Sequence, residues 1–213
     1  MLVTQVLPVD KKRSQVWLDE EFAFVLYKGE LRRYRVETGN DISEKDYNEI
    51  MQQILTKRAK LRAMNLLKSH TYSVNGLRDK LKEGYYPDSV INIALDYVAS
   101  YGYTDDLRMA EEYIRIHMHD KSSRRIAQDL YRKGISKDVV TRAFEECAED
   151  NFVPDEQEQI RQLLKKRKYS FDDSGDIKEY MKHYNFLLRK GYKASLIRQV
   201  MGKNDIYENE YVL

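Results

Sequence analysis

A block that recurs three times around a glycine constrains this chain more than any other feature: KLKEGY at Lys80–Tyr85, LYRKGI at Leu130–Ile135 and LLRKGY at Leu187–Tyr192. Aligned on Gly84, Gly134 and Gly191, the position seven before the glycine is Leu77, Ala127 or Tyr184, and the position three before is Leu81, Tyr131 or Leu188. That is the i, i+4 spacing of one helix face. Beyond the glycine, offsets six, nine and ten give Val90, Ile93 and Ala94, then Val140, Ala143 and Phe144, then Ile197, Val200 and Met201. All are apolar at helical spacing, so each glycine is expected where one amphipathic helix stops and another starts. The left-handed backbone of that C′ position suits a residue without Cβ. The residue that follows, Tyr85, Ile135 or Tyr192, is expected to fold back over the end of the preceding helix.

The glycines lie 50 and 57 residues apart in a chain of 213. A unit of that length buries little core alone, so neighbours must supply contacts, as in repeat proteins. The fold expected is mainly α: three tandem three-helix modules forming an elongated, curved array, preceded by a small N-terminal β-containing segment. The β-like segment covers 1–42, a linker helix and the first module 43–106, the second module 107–152, and the third module with a C-terminal tail 153–213.

Finer punctuation agrees with this plan. Val3–Leu7, Gln15–Leu18 and Phe22–Tyr27 read as strands, with Asp19-Glu20-Glu21 as a hairpin turn, and Gly29–Val36 reads as a short helix or a further strand. Ser43 with Asp46 resembles a capping box and opens a helix that runs on through Leu61, Met64 and Leu67 or breaks near Thr56. Further helices are expected near 58–69, 74–83 and 88–101, with Ser73 as N-cap and Pro87 at the start of the third. Gly102 reads as a C-terminal cap and Asp105 as the N-cap of MAEEYIRIHM. The second module continues near 123–132 and from Ser136. The third has helices near 156–168, 176–190 and 194–202, a loop at 168–176, and an unassigned tail, YENEYVL.

Composition excludes several classes. Three prolines, nine glycines, 34% charged residues and a mean hydropathy of −0.72 describe a charged, helical, soluble chain. No run approaches the roughly 18 apolar residues needed to cross a bilayer. The N-terminal MLVTQVLPVDKKR carries its charges after the apolar stretch, the reverse of a secretory signal. Cys147, the single cysteine, falls on the apolar stripe of Ala143 and Phe144 and reads as a buried, inert thiol. A reducing, cytoplasmic location and a monomer are expected.

Catalytic signatures are missing. There is no phosphate-cradling glycine loop, no Gly-x-Ser-x-Gly and no Cys-x-x-Cys pair. His117 and His119 stand two apart on a helix and point in nearly opposite directions, which suits neither as a shared metal ligand. Asp105, Asp106 and Glu111 are the residue types that hold Mg²⁺ for phosphoryl transfer, but helix capping accounts for them more simply. No catalytic residue, cofactor or metal is assigned.

The positive charge is unevenly placed, although the formal net charge is only +2. Lys57–Lys68 and Arg161–Lys168 each hold five basic residues and no acidic one, and Lys121–Lys133 holds five against Asp129 alone. If such segments share a face, they form a stripe suited to nucleic-acid phosphates or an acidic protein groove. Basic residues near helix C-termini are also favoured by the helix dipole alone.

The Gly-Tyr-Thr-Asp-Asp turn at 102–106, then Met109-Ala110 and Tyr113, then the Lys133-Gly134-Ile135 turn resemble the ordered motifs of the RecX family of RecA regulators. AMNLLKSHTYSVNGLRDKL at 63–81 is similar to the family's first-module pattern, with Asn75-Gly76 departing from a usual glutamate-leucine step. The resemblance is closest over 58–150 and looser in the third module, and the N-terminal segment resembles the extension of some longer members. It implies a non-enzymatic inhibitor that binds RecA and the groove of its filament on single-stranded DNA, suppressing ATP hydrolysis, strand exchange and co-protease activity. Lys82, Arg124, Arg125, Arg132, Lys133 and Arg189, then Lys165, Lys166, Arg167 and Lys168, are the expected contacts to RecA, to DNA or to both. A stand-alone nucleic-acid-binding protein with helix-turn-helix-like pairs is the alternative, and a nuclease using Asp105 and Asp106 is a third.

Overall fold

The structure, a computed structural model, describes residues 1–169 and 177–202. It divides into two compact units, Met1–Asp105 and Asp106–Leu213. Most of the loop expected at 168–176, and the tail YENEYVL, lie outside the described residues.

In the first unit, β1 (Val3–Pro8), β2 (Arg13–Leu18) and β3 (Glu21–Tyr27) form an antiparallel meander. Along β2, Ser14, Val16 and Leu18 are buried and the residues between them are half-buried, so one face of the sheet points to the core. Asp19 and Glu20 turn the hairpin with φ of 47° and 72°, the positive values a two-residue type I′ turn requires. Residues 39–41 cover the open edge of β1: Val3 N donates to Asn40 O and Gly39 N to Val3 O, both at 2.8 Å. The Gly29–Val36 region resolves as a helix, α1 (Lys28–Arg33).

Ser43 caps α2 (Glu44–Glu49), accepting from Asp46 N at 3.0 Å and donating to Asp46 Oδ2 at 2.7 Å. The helical run then widens into a π-type turn at Ile50–Leu55 and passes without a break into α3 (Thr56–Ser69). Thr56 marks the place: its backbone N–H and its Oγ1, the latter at 2.8 Å, both donate to Met51 O. The wider turn leaves Ile50 and Leu55 both fully buried. Two shorter helices follow, α4 (Val74–Lys82) and α5 (Asp88–Ser100). Pro87 is the N-cap of α5, at the start of the helix expected near 88–101. The sheet and helices share one core, in which Phe24 and Leu26 join Ile50, Leu77, Leu81 and Ile91. Arg58, from the basic run on α3, is occupied structurally: it pairs with Glu30 and lies 4.6 Å from the Tyr27 ring centre.

The second unit holds α6 (Asp106–His117), α7 (Ser123–Arg132) and α8 (Lys137–Glu149), then α9 (Glu156–Lys166), α10 (Ile177–Arg189) and α11 (Ala194–Met201). Ala110, Ile114, Ile126, Leu130, Val140 and Cys147 form one core, and Ile160, Leu164, Leu187, Tyr192 and Ile197 another. In every three-helix group the first helix packs on the third. Burial pushes the Cys147 thiol pKa up, so the sulfur stays protonated and unreactive.

The repeat is real, but its register in the first module is one residue off the glycine. Gly134 and Gly191 are left-handed, at φ of 84° and 94°; Gly84 is not, and Tyr85 takes that conformation at φ 61°. Counted from Tyr85, Gly134 and Gly191, the residue four before is Leu81, Leu130 or Leu187, and eight before is Leu77, Ile126 or His183, all buried. Two after lie the N-caps Pro87, Ser136 and Lys193, and six after lie Ile91, Val140 and Ile197, all buried. Twelve before, in the first two modules, stand the N-caps Ser73 and Ser122. The glycine alignment had put Tyr131, Leu188 and Ile93 in the apolar rows, and these are exposed.

Gly84 has a different reason to be glycine. A Cβ there would sit 2.8 Å from Cε2 of Tyr86, whose ring crosses the turn. Tyr86, not Tyr85, therefore folds back onto the core, as Ile135 and Tyr192 do in their modules. Those two turns are Schellman motifs, with Ile135 N to Leu130 O at 3.2 Å and Tyr192 N to Leu187 O at 3.3 Å.

Candidate basic interface

The start of α7 and the end of α10 meet in the second unit. Ser122 is the N-cap of α7, accepting from Arg125 N at 3.3 Å, and its hydroxyl also donates to Lys190 O, the C-cap carbonyl of α10, at 2.9 Å. One serine thus satisfies an orphan donor of one helix and an orphan acceptor of the other. Beside it, Gln159 on α9 is buried, donating to Met118 O at 2.6 Å and accepting from the Tyr192 hydroxyl at 2.9 Å. Burial, aided by Glu156 and Asp120, pushes the Tyr192 pKa up to about 12, so its hydroxyl remains a donor. Ser123 N adds a bond to Glu156 Oε1 at 2.8 Å.

This joint places basic side chains from two helical groups in one cleft of about 370 Å³, where Lys121 and Arg125 face Arg189 and Lys190, with Asp120 as the acidic member. Arg124 opens onto the neighbouring recess beside Lys193, Gly191 and Glu156. Arg124 and Arg189 are exposed and make no ion pair among the described residues.

Below the cleft lies Asp129, a buried carboxylate ringed by cations. Lys121 Nζ is 3.0 Å and Arg125 Nε 3.4 Å away, Arg132 also pairs with it, and the Tyr113 hydroxyl donates to it at 3.1 Å. Burial alone would raise its pKa, but hydrogen bonds from Lys121, Arg132 and Tyr113 outweigh that and hold it at about 2. Three cations against one carboxylate leave the surface electropositive while fixing where its charges stand. Lys133 lies 5.4 Å from the Tyr113 ring centre, and that ring packs against His117 at 4.3 Å. Among the described residues no three potential metal ligands converge, around His117 or elsewhere.

The third module extends the field. Arg167 and Lys190 both approach the Phe186 ring, at 4.2 Å and 5.5 Å. Lys165, Lys166 and Lys168 are exposed around the end of α9. Lys82 stands in the first unit, paired with Asp88 at 3.3 Å.

Residues 105–143 match the family model described as RecX, second three-helix domain, and residues 155–201 match RecX, third three-helix domain. Regulatory protein RecX of Clostridioides difficile is 26% identical over 193 residues, spanning 90% of this chain and 89% of its own. Its namesake in Caldanaerobacter subterraneus is 27% identical over 198 residues, spanning 91% and 98%. In its second and third three-helix groups, and over about nine-tenths of its length, the chain is similar to the RecX family. In fold, it resembles a crystal structure of regulatory protein RecX with a TM-score of 0.60 at 22% identity, over 95% of this chain and 99% of that one. RecX from Lactobacillus salivarius gives 0.58 at 22% identity, over 70% and 95%.

The two RecX domain matches bracket the cleft: Lys121 and Arg125 fall in one, Arg189 and Lys190 in the other. Of the residues singled out from sequence, Arg125 and Arg189 converge directly, Arg124 opens onto the adjoining recess, and Arg132 and Lys133 attach through Asp129 and Tyr113. Sequence reasoning missed Lys121, Lys190 and Asp129 as members. The signal for Asp129 was there, since it is the lone acid in a basic stretch, on the same helix face as Ile126 and Leu130.

Asp129→Asn will lower unfolding stability at neutral pH by about 2 kcal/mol, or about 5 °C in Tm, because it removes the buried carboxylate that Lys121, Arg125 and Arg132 share. The carboxyl pKa is depressed on folding, so its contribution is complete above 3.8 and is lost as pH falls through about 2. Urea titrations from pH 7 to 2 will therefore show the two proteins converging in acid. A gap that persists undiminished at pH 2 would assign the loss to packing.

Proposed function

We propose that the chain is a non-enzymatic regulator that binds RecA and its filament on single-stranded DNA and inhibits RecA's ATPase, strand exchange and co-protease activity. The observation that carries this reading is the convergence of Arg125 and Arg189, from two helical groups, with Lys121 and Lys190 in one cleft. The relatives named regulatory protein RecX support the regulatory role. Four cations against Asp120, two of them also held by the buried Asp129, suit an acidic protein surface, a phosphate backbone, or a filament groove that offers both. Arg124, Arg132, Lys133 and the Lys165–Lys168 run widen the same field, and Lys82 adds a charge in the first unit.

The test is the single-strand-stimulated ATPase of RecA from the same source, with this protein titrated below the RecA concentration. The unaltered protein inhibits; no inhibition at any ratio would sink the RecA reading. Arg124→Glu with Arg189→Glu should weaken inhibition about tenfold or more, since reversing exposed interface charges acts on encounter and on complementarity together. Unchanged inhibition would remove the cleft from the interface. Arg125 is the poorer choice for reversal, because a glutamate there would face Asp129 across one helical turn and disturb the fold.

A further inference from the structure

We infer that Tyr97, Tyr101 and Tyr103, with the lysines of α3, form a stacking platform for single-stranded nucleic acid in the first unit. Tyr101 and Tyr103 are 61% and 53% exposed, their ring centres are 5.9 Å apart, and the planes differ by only 16°. Tyr97 meets Tyr101 edge-on at 5.1 Å. Isolated exposed aromatics need no explanation, but three in mutual contact form a patch.

The patch continues onto α3. Lys60 Nζ lies 4.6 Å from the Tyr97 ring centre, and Met64, Leu67, Lys68 and Tyr103 line an adjoining recess of about 270 Å³. Lys60, Met64, Leu67 and Lys68 follow one another at helical spacing along the side of α3 that meets α5. The helix carries Lys57, Arg58, Lys60, Arg62 and Lys68 and no carboxylate, and of these Arg58 is held by Glu30. Open aromatic faces beside cations are what an unpaired strand requires, with bases extending the tyrosine stack and phosphates lying along the lysines. A duplex hides its base faces, and an acidic peptide lacks the regular succession of planar rings alternating with anions that a strand offers, so the arrangement favours a single strand.

These residues are distinct from the basic cleft, and the test contains no RecA, so the failure of one proposal does not carry the other. A labelled oligo-dT of about 20 nucleotides, titrated with the full chain and read by anisotropy, should bind in preference to a duplex of equal length. Tyr101→Ala with Tyr103→Ala should weaken binding about tenfold or more, while the paired Phe variants keep affinity within about twofold, because the ring and not the hydroxyl makes the stack. Lys60→Ala with Lys68→Ala should flatten the salt dependence by one to two phosphate contacts. No binding by the full chain, equal affinity for duplex, or an alanine variant that binds like the unaltered protein would each overturn the platform. All four tested side chains lie at the surface or its margin, and circular dichroism of each variant checks that helicity is retained.

Discussion

Gly191→Ala will lower the melting temperature by about 9 °C, corresponding to a loss on the order of 3 kcal/mol for a chain of this size. Two effects add. The left-handed backbone at φ 94° costs an alanine about 1 kcal/mol or more. The new Cβ would also lie 2.6 Å from Ser122 Oγ, with Arg125 N at 3.4 Å, so the serine must leave its place. That breaks both its bond to Lys190 O and its cap on α7, each worth about 1 kcal/mol. Gly102→Ala is the matched control: it has φ 69° and nothing within 4 Å of the added carbon, so only the backbone cost of about 1 kcal/mol applies. Equal losses at the two positions in differential scanning calorimetry would show that the Ser122 contact contributes nothing.

Gln159→Leu is expected to cost about 3 kcal/mol, since it removes one group and strands two. Met118 O loses its donor and the Tyr192 hydroxyl loses its acceptor, both in a buried setting. Tyr192→Phe alone should cost about 1–2 kcal/mol, leaving only Gln159 Oε1 unpaired. Combining the two should cost clearly less than the sum, because the second change relieves the hydroxyl that the first one orphaned. Additive losses in urea titrations would mean that the two side chains do not depend on each other. The aliphatic replacement at Gln159 improves the hydrophobic pattern of α9 and still destabilises, which separates this joint from ordinary core packing.

Most helices, the caps at Ser43, Ser73 and Ser136 and the hairpin were legible because each rests on a local rule: serine before a helix, apolar rows at helical spacing, and a turn between alternating strands, although Glu21 of the expected turn belongs to β3 and the Ser122 cap was missed. The one-residue register slip arose because two physical reasons for glycine look identical in sequence. Gly134 and Gly191 supply a backbone conformation, whereas Gly84 supplies room for the Tyr86 ring. Further left-handed helix ends at Arg35, Asn151 and Lys168 carried no glycine and so no signal. Each is nonetheless built like the Gly134 turn, with Val36 N to Leu31 O at 2.9 Å, Phe152 N to Cys147 O at 2.8 Å and Tyr169 N to Leu164 O at 3.0 Å.

The candidate site was half legible for a related reason. Basic runs are visible in a sequence, but which members meet depends on contacts between helices far apart in the chain. Ser122 and Lys190 are 68 residues apart, and nothing local to either predicts the bond that brings Arg125 beside Arg189. Arg58 shows the converse, because it stands in a basic run and is consumed by Glu30 and Tyr27 within the fold. His183 occupies the row held by Leu77 and Ile126 elsewhere; its burial, with Arg167 nearby, pushes its pKa down and keeps it neutral enough to serve in a core.

The common frame set by Tyr85, Gly134 and Gly191 makes the helical groups interchangeable parts, provided they are joined in that frame. A graft that aligns Tyr85 with Gly134 delivers Leu77 and Leu81 to the places of Ile126 and Leu130. A splice that matches Gly84 to Gly134 turns the incoming helix by about 100° about its axis and carries those leucines towards water. Lineages that lengthen or shorten such arrays by recombination would have to respect the left-handed residue and not the glycine, so a duplicated module can lose its most recognisable letter and still fit.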